Sequence, residues 1–240
     1  MRRRFDSCRG HHRGSPKKTS LTYYQPTGVF LFLTVESMCA HFFDTKMGEK
    51  ADKGRSMEHK DVLKEMIKAR SFKKSDTPSF PLTSGKMSSF YFNLKSVTMA
   101  SEGMFHIGHV VLDKIEALGL QPKAIGGLTM GADPIANATA LVSHLRDRDI
   151  QAFSIRKEPK KHGLKLQIEG DLNAHDDVII IDDVVTTGGS TIKAIDVARK
   201  HDLNVMAVII LVDRCEENGR GNIEEKGVKV HAIFTVHDFI

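Results

Sequence analysis

The run VIIIDDVVTTGGST, from Val178 to Thr191, gathers residue types that suit one kind of chemistry. Four apolar residues make a buried strand, the adjacent carboxylates Asp182 and Asp183 stand at its end, and a Thr/Gly/Ser turn opens a helix near Thr191. Gly188 and Gly189 let backbone approach a ligand closely. Thr186, Thr187 and Ser190 offer hydroxyl donors and the helix N-terminus offers free N–H groups, so the turn is a cradle for a phosphate. The two carboxylates cannot take that phosphate, but they can accept hydrogen bonds from a sugar diol attached to it. Loop and carboxylate pair together describe a ribose 5-phosphate site. The competing explanation is an ordinary strand-to-helix turn with Ser190 as N-cap and one aspartate merely solvated. A buried strand, an acid pair and a hydroxyl-rich loop in one uninterrupted run argue against it. The run is not a Walker loop, since no Gly-Lys-Ser/Thr follows, and it is not GxGxxG.

A second stretch, RKEPKKHG from Arg156 to Gly163, holds five cations: Arg156, Lys157, Lys160, Lys161 and His162. Pro159 and Gly163 argue against helix there. A solvated basic loop is the plain explanation, but the stretch follows a strand at 152–155, at the sheet edge where ligands bind. Mobile cations closing over a pyrophosphate leaving group would stabilise charge that builds up as a C1–O bond breaks.

Positioning these residues requires a sheet. Helical spacing of apolar residues marks 58–70, 102–118, 132–145 and 190–201. Short runs rich in β-branched residues lie at 124–128, 152–155, 177–182, 205–212 and 230–236. Strands separated by helices imply right-handed crossovers, hence a doubly wound α/β domain with a mostly parallel sheet and helices on both faces. Such sheets bind ligands beyond the carboxyl ends of their strands.

The remainder of the 240 residues constrains the setting. Three cysteines, at 8, 40 and 215, make neither a disulfide framework nor a CxxC metal knuckle, which points to a reducing compartment. The formal charge of +5 hints at nucleic acid, yet residues 1–56 carry 11 Lys and Arg against 5 Asp and Glu, leaving residues 57–240 nearly neutral. Neither a nucleic-acid nor a membrane partner is therefore expected. Gly28 to Phe43 is apolar but carries Glu36 and His41, and it is shorter than the roughly 20 residues of a membrane span. An Arg-rich transit peptide is one reading of residues 1–20, against which Gly10, Gly14 and Pro16 count. The reading adopted is an extension, 1–56, that is disordered or lies upstream of the true start, with the folded unit over 57–240.

The Val178–Thr191 run resembles the fingerprint of the type I phosphoribosyltransferases, in which four apolar residues, two acids and a Thr/Gly loop bind the ribose and 5-phosphate of phosphoribosyl pyrophosphate (PRPP). RKEPKKHG resembles the catalytic loop RKExKxHG of the orotate phosphoribosyltransferases, and the resemblance extends over roughly residues 57–240. It implies PRPP contacts at Arg156, Lys157, Lys160, His162, Asp182, Asp183, Val184, Val185, Thr186, Thr187, Gly188, Gly189 and Ser190. Arg156, Lys160 and His162 are the catalytic residues it implies, Lys160 foremost, and Lys161 stands at a variable position. LTSGKMSSFYFN, Leu82 to Asn93, is similar to that family's N-terminal hood signature, so Tyr91 and Phe92 are expected to line the base pocket, with Phe90 a core residue. VDR at 212–214 matches its Asp-Arg, implying that Arg214, with Thr186 nearby, meets the orotate carboxylate through two parallel hydrogen bonds. GGLTMGADPIANATA, Gly126 to Ala140, is similar to its pyrophosphate loop. Two positions depart from some relatives: Thr83 and Gly131 stand where those carry lysine. The resemblance further implies Mg²⁺ held mainly by substrate, a cytoplasmic homodimer with active sites shared across the interface, and transfer of ribose 5-phosphate from PRPP to orotate in pyrimidine synthesis. Transfer to another nucleobase is the first alternative, and PRPP sensing without chemistry the second.

Overall fold

Alternation of apolar side chains along β8 (Asp177–Val185) decides how the layers stack. Val178 and Ile180 face one core and Ile179 and Ile181 the other, all fully buried. A strand buried on both faces must lie inside a parallel sheet covered on both sides. The computed structural model describes residues 49–82, 85–158 and 167–240. Expectations that fall on residues 1–48, on Thr83, and on Lys160, Lys161, His162 and Gly163 lie outside the described residues.

The described residues open with α1 (Glu49–Arg70), which starts before Met57. Short antiparallel pieces follow: β1 (Phe72–Lys74) pairs with β4 (Phe90–Phe92), and β2 (Phe80–Pro81) with β3 (Met87–Ser88). A single turn, α2 (Lys95–Thr98), leads to α3 (Ser101–Ala117). Then come β5 (Ala124–Leu128), α4 (Ala132–Leu145), β6 (Gln151–Ile155) and β7 (Ile168–Glu169). After β8 come α5 (Gly189–Lys200), β9 (Asn204–Asp213), α6 (Gly219–Glu224), β10 (Val230–Thr235) and a closing 3₁₀ turn. The six-stranded sheet runs β10-β9-β8-β5-β6-β7, and all neighbours are parallel except β7, which is antiparallel to β6.

One core joins α1, α3 and α4 to the sheet through Leu63, Ile67, Ile107, Ile115, Ile135 and Val142. The other joins α5 and α6 through Ala194, Ile195, Ala198 and Ile223. The doubly wound arrangement expected from the strand and helix order is thus present. β8 and β9 extend beyond the apolar runs that announce them. The ladder between them continues past Ile181↔Ile209 through Asp182↔Ile210 to Val185↔Asp213, so backbone pairing outlasts the hydrophobic pattern.

Candidate active site

Three neighbouring strands, β5, β8 and β9, end at one edge of the sheet, each followed by a segment that sequence analysis singled out. Beyond β8, Thr186 and Thr187 are half-buried and the chain turns at Gly188, whose φ of 82° lies in the left-handed region. A Cβ there would stand 2.7 Å from Ile223 Cγ1 and 2.8 Å from the Gly219 carbonyl oxygen, so only glycine fits both the conformation and the space. Gly188 is the N-cap of α5, and no side chain caps this end. Ser190 is not the cap: its hydroxyl donates to Asp182 Oδ2 at 2.7 Å instead. Ser190 as N-cap is thus excluded, and the Gly189 N–H, first of the helix, donates to Thr187 Oγ1 at a long 3.4 Å. Behind the loop, the Asn222 side-chain amide of α6 donates to the Thr187 carbonyl at 2.9 Å.

The two aspartates are placed differently. Asp182 is only 6 % exposed, and its carboxylate is already engaged. Oδ2 accepts from Ser190 and from Thr191 Oγ1, both at 2.7 Å, and Oδ1 from the Asp183 N–H at 3.1 Å. Burial, and next the neighbouring Asp183 charge, push its pKa up to about 6, while the hydroxyl and N–H donors oppose the rise. Asp182 thus ties the strand end to the first turn of α5 rather than standing open to a sugar. Asp183 is half-buried, accepts from the Val184 N–H at 2.9 Å through Oδ1, and lies beside Gly131 of the β5 loop. A Cβ on Gly131 would lie 2.5 Å from Asp183 Oδ1, so the glycine that stands where some relatives have lysine leaves room for this carboxylate. Val184 is half-buried and Val185 buried in the core, which leaves main chain as what they offer a ligand.

Beyond β5, Thr129–Met130 is a cis peptide bond, and Gly131 is the N-cap of α4, again without a side-chain cap. Asp133, in its first turn, accepts from Ser154 Oγ at 2.7 Å, tying this loop to β6. Two uncapped helix N-termini thus follow adjacent strands. Past β6, the Arg156 N–H bonds the Gln167 carbonyl at 2.8 Å, extending the β6–β7 hairpin to the root of the basic loop. The Arg156 side chain donates through Nε to Glu169 Oε1 at 2.9 Å, and Lys157 is exposed beside it. A cleft of about 550 Å³ lies between Thr129, Ser154, Arg156, Lys157, Glu158 and Glu169.

Beyond β9 lies Arg214, 7 % exposed, whose N–H bonds the Val185 carbonyl at 3.1 Å, one strand from the phosphate loop. Its Nε and Nη2 both meet Glu216 Oε2 at 2.8 Å, and Nη2 reaches Ser88 Oγ at 2.9 Å and the Phe90 carbonyl at 2.8 Å. Glu216 and Ser88 were not singled out in the sequence. The fork expected to face a ligand's carboxylate is therefore largely occupied, and among the described residues Nη1 makes none of these bonds. Asp213 is spent on the turn, accepting from the Cys215 N–H at 2.9 Å and from Arg220 Nε at 3.3 Å. In β4, Tyr91 is 42 % exposed, its ring 5.6 Å from that of Phe80. Phe92 differs from its expected place on the base pocket. It is 9 % exposed, with its ring 5.0 Å from Phe72 and 5.6 Å from Phe239, because strand alternation turns it with Phe90 toward the core and only Tyr91 outward.

The chain is 44% identical to the orotate phosphoribosyltransferase of Aquifex aeolicus over 184 residues, which are 77% of this chain and 99% of that protein. It belongs to the orotate phosphoribosyltransferase family. The enzyme of that name from Leptospira biflexa is 38% identical over 77% of this chain and 99% of its own. Among solved structures, the orotate phosphoribosyltransferase of Mycobacterium tuberculosis H37Rv superimposes with a TM-score of 0.64 at 28% identity, covering 75% of this chain and 98% of its own. No family model matches the chain. The type I phosphoribosyltransferase fold expected from the fingerprint is the fold found.

Proposed function

We propose that the chain transfers the 5-phosphoribosyl group of PRPP to N1 of orotate, giving orotidine 5′-monophosphate and pyrophosphate in de novo pyrimidine synthesis. The observation that carries this is the spatial order of the strand ends. Arg214 follows β9, the carboxylates and phosphate loop follow β8, and an uncapped helix start follows β5. Base, ribose 5-phosphate and pyrophosphate are joined or exchanged in that same order about C1. In-line displacement needs the nucleophile on one side of C1 and the leaving group on the other.

In this reading the N–H groups of Thr186, Thr187, Gly188, Gly189 and Ser190 and the hydroxyls of Thr186 and Thr187 anchor the 5-phosphate, and Asp183 accepts from the ribose hydroxyls. Asp182 holds the loop in register. The orotate N1 lone pair forms the C–N bond as the C1–O bond breaks, and that electron pair departs on pyrophosphate. The cations of the lid, Arg156, Lys157, Lys160 and His162, meet the growing charge, Lys160 foremost. Tyr91 and Thr186 border the base. No protein nucleophile takes part.

Mg²⁺ fits this site as a substrate-held ion. Asp182 already accepts from Ser190, Thr191 and the Asp183 N–H, so the half-buried Asp183 is the carboxylate left to meet a cation carried by the substrate. When bound, the ion would neutralise pyrophosphate. We further infer a catalytic unit over residues 57–240, a homodimer whose lid serves the partner's site, and a cytoplasmic location. The near-complete coverage of curated relatives by 77% of this chain supports the first. Among the described residues no helix is long and apolar enough to cross a membrane.

The test is a base panel at saturating PRPP and Mg²⁺. Saturable turnover with orotate alone among orotate, uracil, hypoxanthine and adenine is expected, as is loss of most of the rate, with PRPP still bound, in Lys160→Ala. Preference for another base would replace the substrate. PRPP binding without turnover of any base would make the chain a sensor.

A further inference from the structure

We propose that Glu216 is a positioning residue for base recognition: together with Ser88 it locks the Arg214 guanidinium so that Nη1 alone is presented to the orotate carboxylate. The inference rests on the function proposed above and adds to it how the base end of the site is aimed.

The donor inventory closes around Ser88. Its hydroxyl has one proton and two lone pairs. The proton goes to Glu216 Oε1 at 2.7 Å, and the lone pairs take Arg214 Nη2 at 2.9 Å and the Phe90 N–H at 3.0 Å. Glu216 spends its other oxygen on Arg214, accepting from Nε at 2.8 Å with Nη2 ion-paired at the same distance. Arg214, Glu216 and Ser88 therefore form a ring in which each member bonds both others, and the Phe90 carbonyl takes Nη2 as well. An arginine side chain left to itself samples many rotamers, whereas this one has four contacts on one edge and an open nitrogen on the other.

The backbone is shaped to deliver Glu216. Cys215, Glu217 and Asn218 all adopt left-handed φ values of 54°, a conformation that non-glycine residues hold only when their surroundings over-determine it. Glu217 also reaches the hood, pairing with Lys86 Nζ at 2.9 Å, so the two glutamates fasten the β2–β3 hairpin to the end of β9. A different role for Glu216 is that of an internal stand-in, occupying the place of the substrate carboxylate until orotate displaces it. Displacement would strip Ser88 of its acceptor and Arg214 of the contact that orients it, so the ring favours positioning.

The test uses the full chain and the variants Glu216→Ala, Glu216→Gln and Ser88→Ala, varying orotate at saturating PRPP and then PRPP at saturating orotate. Loss of a charge-assisted contact that orients Arg214 should raise KM for orotate by roughly 10- to 100-fold in Glu216→Ala and less in Glu216→Gln, with KM for PRPP within about threefold of wild type. Ser88→Ala, which keeps both charges and deletes only the hydroxyl, should move KM for orotate the same way by about three- to tenfold, and it decides the matter if Glu216→Ala does not fold. A fall in KM for orotate would make Glu216 a competitor and overturn the proposal. Equal rises in both KM values, or no change in either, would overturn it too. Wild type that fails to use orotate removes the functional reading itself, whereas active wild type with unmoved variants removes this inference alone.

Discussion

In the proposed site, what the end of β8 offers a ligand is mostly main chain: a glycine in the left-handed region, an uncapped helix start, and hydroxyls from a contiguous run of sequence. At the end of β9, one strand away, it is a side chain, Arg214, held by Glu216 from its own loop and by Ser88 and Phe90 from more than a hundred residues earlier. In the proposed reading, the phosphate end is built by local geometry and the base end by long-range bonds. A phosphate is a constant part of the substrate, well served by fixed N–H groups. A base is the part to be discriminated, and discrimination needs side chains whose identity can be matched to it.

The comparison is broken most forcefully at Gly188. Gly188→Ala must adopt φ near 82° against Ile223, and the combined strain and crowding should raise KM for PRPP by about 100-fold or abolish binding, with orotate affinity little changed. Next, Arg214→Ala should give the opposite signature. KM for orotate should rise by roughly 10- to 100-fold with KM for PRPP near wild type, and the melting temperature should fall because Glu216 loses its partner. If both variants moved both constants equally, the division of labour would be wrong.

A smaller effect concerns Asp182. Its folded pKa, raised to about 6, exceeds the ordinary carboxylate value of 3.8, so folding favours the protonated acid. That contribution is fully present below the unfolded value and is lost as pH rises through about 6, which leaves the buried charge a cost at neutral pH of up to about 3 kcal/mol. Asp182→Asn stays neutral and can still accept from Ser190 and Thr191. It should melt above wild type at pH 8, with the gap closing as pH falls toward 4; a gap independent of pH would contradict the assignment. Smallest is Asn222→Ala, which removes one bond to the Thr187 carbonyl and should raise KM for PRPP by less than about tenfold, with orotate unaffected.

The same division explains what was legible in the sequence. The strand-to-helix turn after β8 could be read because strand, acids, hydroxyls and glycines are contiguous, and the helices at Ala132–Leu145 and Gly189–Lys200 follow their apolar spacing closely. The hood could not be read in detail. β1 to β4 are two or three residues long, too short for any period to show, and they are fixed by pairing rather than by pattern. Phe92 went to the core because its partner in β1 is Phe72, a register no local signal reveals. Asp182 and Asp183 look alike in sequence. They differ because the α5 hydroxyls close on one carboxylate while Gly131 leaves space beside the other. Glu216 carries no motif of its own and acquires its place only when Ser88 arrives from the hood.

The most direct measurement is product stoichiometry with the wild-type chain, PRPP, Mg²⁺ and orotate: orotate consumed, nucleotide formed and pyrophosphate released in one reaction. One orotidine 5′-monophosphate and one pyrophosphate per orotate lost, with saturation in both substrates, is the expected result. Pyrophosphate release without nucleotide, or PRPP binding with no consumption of orotate, would contradict the account.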